Sequence, residues 1–202
     1  IKQKIRIKGL TLTDDSMDEN GTIIPGKSTL VITSLEKELL ASSSLLLNSK
    51  LPIFYIIEDY RGSSYNQGIN FSKDMINELP IPNLSSIEKI STQIIPFIIP
   101  LKSEIPLFDK VSNNLVLDLI YEVIDALVFE LYFPEEFQSK GIVIQKHAKE
   151  LFKPMDNLSE EQKIEQIKAV YEELRKKENP LRNQIKLMKI ELKDLLLPIL
   201  SV

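Results

Sequence analysis

The stretch from Leu45 to Pro82 reads LLLNSKLPIFYIIEDYRGSSYNQGINFSKDMINELPIP, and the rest of the chain is organised around it. Two apolar segments of helical character lead into a polar loop. The loop empties through a short turn of helix into the tetrad Leu79-Pro80-Ile81-Pro82. Arg61, Ser63, Ser64, Tyr65, Asn66, Gln67 and Asn70 load the loop with hydrogen-bonding groups, while Gly62 and Gly68 loosen its backbone. Nothing in the stretch has the makings of a nucleophile or a metal ligand. A polar tip between apolar anchors is how a recognition loop is set on a rigid scaffold.

The composition around this stretch narrows the possibilities. An apolar share of 43% suits a packed core and argues against wholesale disorder. The formal charge of -4 gives no bulk attraction for nucleic acid, so any such function needs a local basic patch or the rest of a longer protein. The absence of cysteine excludes disulfide scaffolds and Cys-type zinc sites, and the single His147 excludes a His-rich metal or proton-relay site. No signal peptide or membrane-spanning apolar run is recognisable, which makes the cytoplasm the simplest compartment. The chain opens at Ile1, already inside an alternating pattern, and reads as part of something larger.

Upstream of the organising stretch, strands are expected. Lys2, Lys4, Arg6 and Lys8 fall on one face of an alternating segment, either as solvated charges on an edge strand or as a face for phosphates. Asn20-Gly21 suits a two-residue hairpin turn between Leu10–Leu12 and Ile23–Ile24. The carboxylates of residues 14–19 lack the spacing of a calcium loop and read as a solvated turn. Thr29–Thr33, short and β-branched, predicts another strand. A helix follows, with Thr33 and Glu36 as a capping box and Leu35, Leu39, Leu40, Leu46 and Leu47 as its apolar stripe. Pro52 sits at the first turn of a second core helix carrying Ile53, Phe54, Ile56 and Ile57.

Downstream, Ser72 caps a short turn and Pro80 and Pro82 force an extended exit. Ser85 with Glu88 predicts another capped helix running toward Pro96, and the three prolines of residues 96–106 predict extended chain with at most one short strand. Asn113–Phe133 is the strongest helical pattern, with Leu115, Leu119, Ile120, Val123, Ile124, Leu127, Val128 and Leu131 at spacings of three and four. Asp118, Glu122, Asp125 and Glu130 fall between them and read as its solvated face; Glu122 and Asp125 have no partner that would make them an acid/base pair. Pro134 ends this helix. Further helices are expected near Phe137–Leu151, with His147 exposed among lysines, from a Ser159/Gln162 cap to about Lys177 with Glu172–Lys176-type pairs, and from Leu181 to about Leu197. The expected fold class is α+β: a small mixed unit over residues 1–110, then a helical region over 111–202.

Gly-rich phosphate loops, the tetrad for amino methylation and cofactor loops are all missing from the sequence. The order of segments nevertheless resembles one family, the TaqI-like C-terminal specificity domain. This is the target-recognition region of type IIG restriction–modification enzymes and related adenine-N6 DNA methyltransferases. The matching pieces are Leu46-Leu47-Asn48-Ser49-Lys50-Leu51 with the aromatic Phe54 and Tyr55, then Phe71-Ser72-Lys73, then Leu79-Pro80-Ile81-Pro82. The last is Ile124-Asp125-Ala126-Leu127-Val128-Phe129-Glu130-Leu131-Tyr132, similar to the family's closing helix. Gly21–Thr33 also fits the strand that precedes the first piece, and the resemblance covers roughly residues 10–133.

The resemblance implies recognition of double-stranded DNA. It implies a covalently attached methyltransferase or endonuclease in the parent protein, with S-adenosylmethionine bound in that protein's N-terminal domain. It implies no cofactor and no catalytic residue in this chain, while the composition already argues against a metal site and a membrane span. The loop residues Arg61, Ser63, Ser64, Tyr65, Asn66, Gln67 and Asn70, with Lys73, become the DNA-binding candidates. By chemistry, Arg61 suits guanine and Asn66 or Gln67 suits adenine, while the hydroxyls suit phosphates. The alternative is a protein-interaction module whose helical arms, residues 136–202, pack on a partner domain without touching DNA.

Overall fold

The computed structural model describes residues 31–60 and 72–202. Among them every regular element is helical, so the expected α+β class is corrected to all-α. The helices are α1 Lys37–Leu47, α2 Lys50–Asp59, α3 Lys73–Asn77, α4 Glu88–Ile94, α5 Ile98–Lys102, α6 Asn113–Tyr132, α7 Pro134–Ser139, α8 Ile144–Leu151, α9 Glu160–Arg175, α10 Pro180–Glu191 and α11 Lys193–Leu200. The expected strand over Ile1–Lys8 and the hairpin of Leu10–Leu12 with Ile23–Ile24 lie outside the described residues. Of Thr29–Thr33, residues 31–33 are described; they form no strand and lie exposed.

The centre of the fold is α6. Ala126, Leu127, Val128 and Phe129 are consecutive and each is 0% exposed. Four adjacent residues of an α-helix point in four directions, so this stretch is enclosed on every side, as in a core helix. Helices α1, α2, α5, α7, α8 and α10 all pack on α6, while α4 lies on α1, α9 on α10 and α11 on α2. The buried cluster built this way runs from Ala41 to Ile199 and draws on both sides of residue 110.

Several expectations fail for local reasons. Residues 95–102 are helical, with a 3-10 turn Ile95–Phe97 followed by α5. Ile94, Ile95, Phe97, Ile98 and Leu101 are all buried at helical spacing. Pro96 and Pro100 each fall within the first turn of their element, where a missing N–H costs no intrahelical bond. Burial of the aliphatic residues therefore decides the conformation. At α1 the predicted capping box does not form: Glu36 occupies the cap position and its N–H donates to Ser34 Oγ at 3.1 Å. Leu35 and Leu39 are exposed, and the buried stripe is Ala41, Leu45 and Leu46. Before α4, the Ser85 N–H donates to Asn83 Oδ1 at 3.0 Å, and no side chain caps the helix.

The helix expected over Phe137–Leu151 is two helices. Gly141 has φ +64°, a left-handed conformation that suits glycine. Its N–H donates to Gln138 O at 3.1 Å and that of Ile142 to Phe137 O at 2.9 Å, the Schellman pattern of helix termination. Its accompanying apolar contact is supplied by Phe137 and Ile142, both buried. His147 in α8 is largely covered, and its Nδ1 lies 3.0 Å from Glu150. The helix expected over Leu181–Leu197 breaks at Leu192 into α10 and α11, and Leu192, Leu196 and Ile199 all reach the core. The surface pairs of α9 are spaced by three, Glu172–Arg175 and Glu173–Lys176, in place of Glu172–Lys176.

Other features are read correctly. Ser72 Oγ accepts from Met75 N–H at 3.2 Å, Ser159 and Gln162 form a capping box, and Pro134 follows the end of α6. Leu127→Ala should cost about 3 kcal/mol by leaving a cavity in an enclosed site. Thermal denaturation should register this as a fall of roughly 10 °C in Tm.

Candidate nucleic-acid interface

Helices α2 and α3 flank the candidate loop in the chain. Helix α2 begins at Lys50 after Ser49, whose hydroxyl donates back to Leu46 O at 2.8 Å and accepts from no N–H of the helix. Pro52, the third residue of the helix, has no N–H to offer. The first free donor, the N–H of Lys50, is taken by Asp125 Oδ1 of α6 at 2.8 Å. Asp125 is 4% exposed. It is therefore part of the core, which corrects its expected place on a solvated face; Glu122 does lie at the surface, 3.2 Å from Lys189. The Lys50 ammonium donates to the carbonyl oxygens of Leu200 and Val202, tying the end of α11 to the start of α2.

Beyond the loop, the chain returns against α2. Ile56, Met75 and Leu79 form a small buried cluster, with Leu47, Tyr55, Tyr60 and Ile76 packed around it. The Tyr60 hydroxyl donates to the Glu78 carboxylate. That bond is the main cause raising its phenol to about 12, so it remains a donor at neutral pH. Tyr132, near the end of α6, donates its hydroxyl to Pro80 O at 2.7 Å, and burial pushes its phenol up to about 12. The extended exit through Pro80 and Pro82 is thus fixed from α6.

A second carboxylate of α6 acts like Asp125. Helix α8 follows Val143, which has no side-chain acceptor to cap it. Glu130 accepts from Ile144 N–H at 3.1 Å and from Gln145 N–H at 2.7 Å, closing the end of α8 from outside. Burial holds its carboxyl above the usual range, against the lowering pull of these two N–H donors and of the Lys149 charge. Glu130 also borders an open groove of about 640 Å³ with Asn83, Ser86, Phe137 and Lys146.

Of the sequence-predicted site residues, Arg61, Ser63, Ser64, Tyr65, Asn66, Gln67 and Asn70 lie outside the described residues. Lys73 opens α3 and is exposed. The stems beside the loop carry Glu58, Asp59, Asp74 and Glu78 against Lys73, an acidic setting that repels phosphates. Asp125, Glu130 and Tyr132 are the functional supports missed by sequence reasoning. The local pattern pointed the other way, because Asp118 and Glu122, on the same face of α6 in the two turns before Asp125, are exposed.

Among the described residues no group of three or more His, Cys, Asp or Glu side chains is placed to hold a metal ion, and no single helix is long and apolar enough to cross a membrane. No family model matches this chain, and comparisons with curated proteins and with solved structures find no match either.

The supports can be separated by mutation. Asp125→Ala should lower stability in urea unfolding by about 2 kcal/mol, because it strands a buried N–H, and Asp125→Asn should recover part of that loss. Tyr132→Phe should cost about 1 kcal/mol, because only a neutral hydrogen bond is lost.

Proposed function

We propose that this chain is a DNA target-recognition module that sets the sequence on which an attached adenine-N6 methyltransferase or endonuclease acts. The observation that carries the reading is the joining of three separate stretches. Lys50 of the first meets Asp125 of the last, and Pro80 of the second meets Tyr132 of the last. These are three of the four stretches that resemble the specificity family, and their contacts hold on α6 the start of α2 and the Pro80–Pro82 exit, which precede and follow the polar segment 61–71 in the chain. A brace of this kind suits base reading, which needs side chains held in register.

In this reading Arg61 hydrogen-bonds a guanine edge, and Asn66 or Gln67 an adenine edge, in the major groove. The acidic stems keep the backbone phosphates at a distance, so phosphate contacts fall to the basic face of residues 2–8 and to the rest of the parent protein. Extrusion of the adenine and S-adenosylmethionine chemistry belong to the attached domain.

Selection of this chain on a pool of random duplexes, followed by sequencing of the bound fraction at low and physiological salt, tests the reading. One short motif should be enriched and should survive added salt. Arg61→Ala should relax the preference at a single guanine position by about 1–3 kcal/mol. Retention without enrichment that vanishes with salt, by this chain and by the full-length protein alike, would overturn it.

A further inference from the structure

Helices α6, α9 and α10 enclose a groove of about 240 Å³. Its floor is aliphatic, made by Leu119, Val123, Leu174 and Ile185. Its rim is cationic: Arg175, Arg182, Lys186 and Lys189 line it, with Glu122 the one carboxylate among the lining residues. In a chain of net charge -4 this is a local reversal of sign. Three of the four cations already hold oxygen atoms. Lys189 lies 3.2 Å from Glu122, Arg175 lies 3.4 Å from Glu172, and Arg182 donates to Arg175 O at 2.6 Å. Lys186 is exposed and has no ion-pair partner among the described residues.

Val123, Leu174 and Ile185 of this floor are buried and Leu119 is half-buried, so the apolar surface open to a partner lies beside the groove. Leu115, one turn before Leu119 on α6, is 53% exposed, and Ile190, one turn after Lys186 on α10, is 70% exposed. An aliphatic floor is of no use to a phosphate backbone but receives the leucine face of an amphipathic helix, while the cations receive its flanking carboxylates. The groove also faces away from the contact that Tyr132 makes with Pro80. Val123 and Tyr132 are nine residues apart on α6, about two and a half turns, so they face opposite sides of the helix.

We infer that this groove docks an acidic amphipathic helix of a partner protein, an interaction independent of the DNA reading. The probe is a synthetic helical peptide of roughly four turns, with leucines at spacings of three and four and glutamates beside them. Binding is followed by titration calorimetry and by amide shifts in this chain. The peptide should bind and shift the amides of Leu119, Val123 and Ile185. A matched peptide with lysine for glutamate should not bind. Lys186→Glu with Lys189→Glu should weaken binding at least about tenfold. Lys186→Glu alone, which breaks no ion pair among the described residues, should weaken it in the same direction and serves if the double variant fails to fold.

Equal binding of the two peptides, or unchanged affinity of both variants, would overturn the inference. So would a random-sequence duplex that shifts the same groove amides and displaces the peptide, since the groove would then be a phosphate surface. Enrichment of a DNA motif in the selection above is independent of all these outcomes.

Discussion

The hydrogen bonds that α6 makes with its neighbours' backbones are the constraint on which the architecture depends. An α-helix leaves its first N–H groups without intrahelical acceptors, and a nearby Ser, Thr, Asp or Asn usually supplies one. Helices α2 and α8 lack that local help: Ser49 accepts from no N–H of α2, and Val143 has no side-chain acceptor. Asp125 and Glu130 supply it from another helix. The arrangement couples secondary structure to tertiary contact: α2 and α8 are properly ended only when docked on α6. A buried carboxylate that meets backbone N–H groups is compensated for its desolvation, whereas one left alone would not be.

The same helix holds elements on either side of the candidate segment. Tyr132 reaches Pro80, and Asp125 holds the start of α2, so both approaches to residues 61–71 are referred to one rigid element. The Ile56–Met75–Leu79 cluster and the Tyr60–Glu78 bond join the two stems directly. This gives the recognition proposal its physical basis, since the specificity of a bidentate base contact depends on how firmly its side chain is placed. The cationic groove lies on the side of α6 opposite Tyr132.

Much of the helical content was legible in the sequence. The spacing of Leu119, Ile120, Val123, Ile124 and Leu127 marks α6, and Ser72, Ser159 and Pro134 mark boundaries through chemistry local to a few residues. The failures arise where distant contacts decide. Residues 95–102 read as extended because of their prolines, yet burial of Ile95, Phe97, Ile98 and Leu101 winds them into helix. Gly141 breaks the helix expected from Phe137 through a Schellman turn whose apolar contact depends on Phe137 and Ile142 being buried together. Asp125 and Glu130 resembled solvated charges because their acceptors' partners lie 75 and 14 to 15 residues away in the chain, beyond any local pattern. The candidate loop itself was legible only as chemistry, and the framework around it emerged only from the packing.

Native-state hydrogen exchange at the backbone amides of Lys50, Ile144 and Gln145 tests the central claim most directly. These are first-turn amides of their helices, positions that ordinarily exchange quickly because no intrahelical acceptor protects them. If α6 holds them, their protection should approach that of the enclosed core amides of Leu127 and Val128, and the Lys50 amide should lose it in Asp125→Ala. Exchange of all three at the rate of exposed loop amides in the unaltered protein would contradict the account.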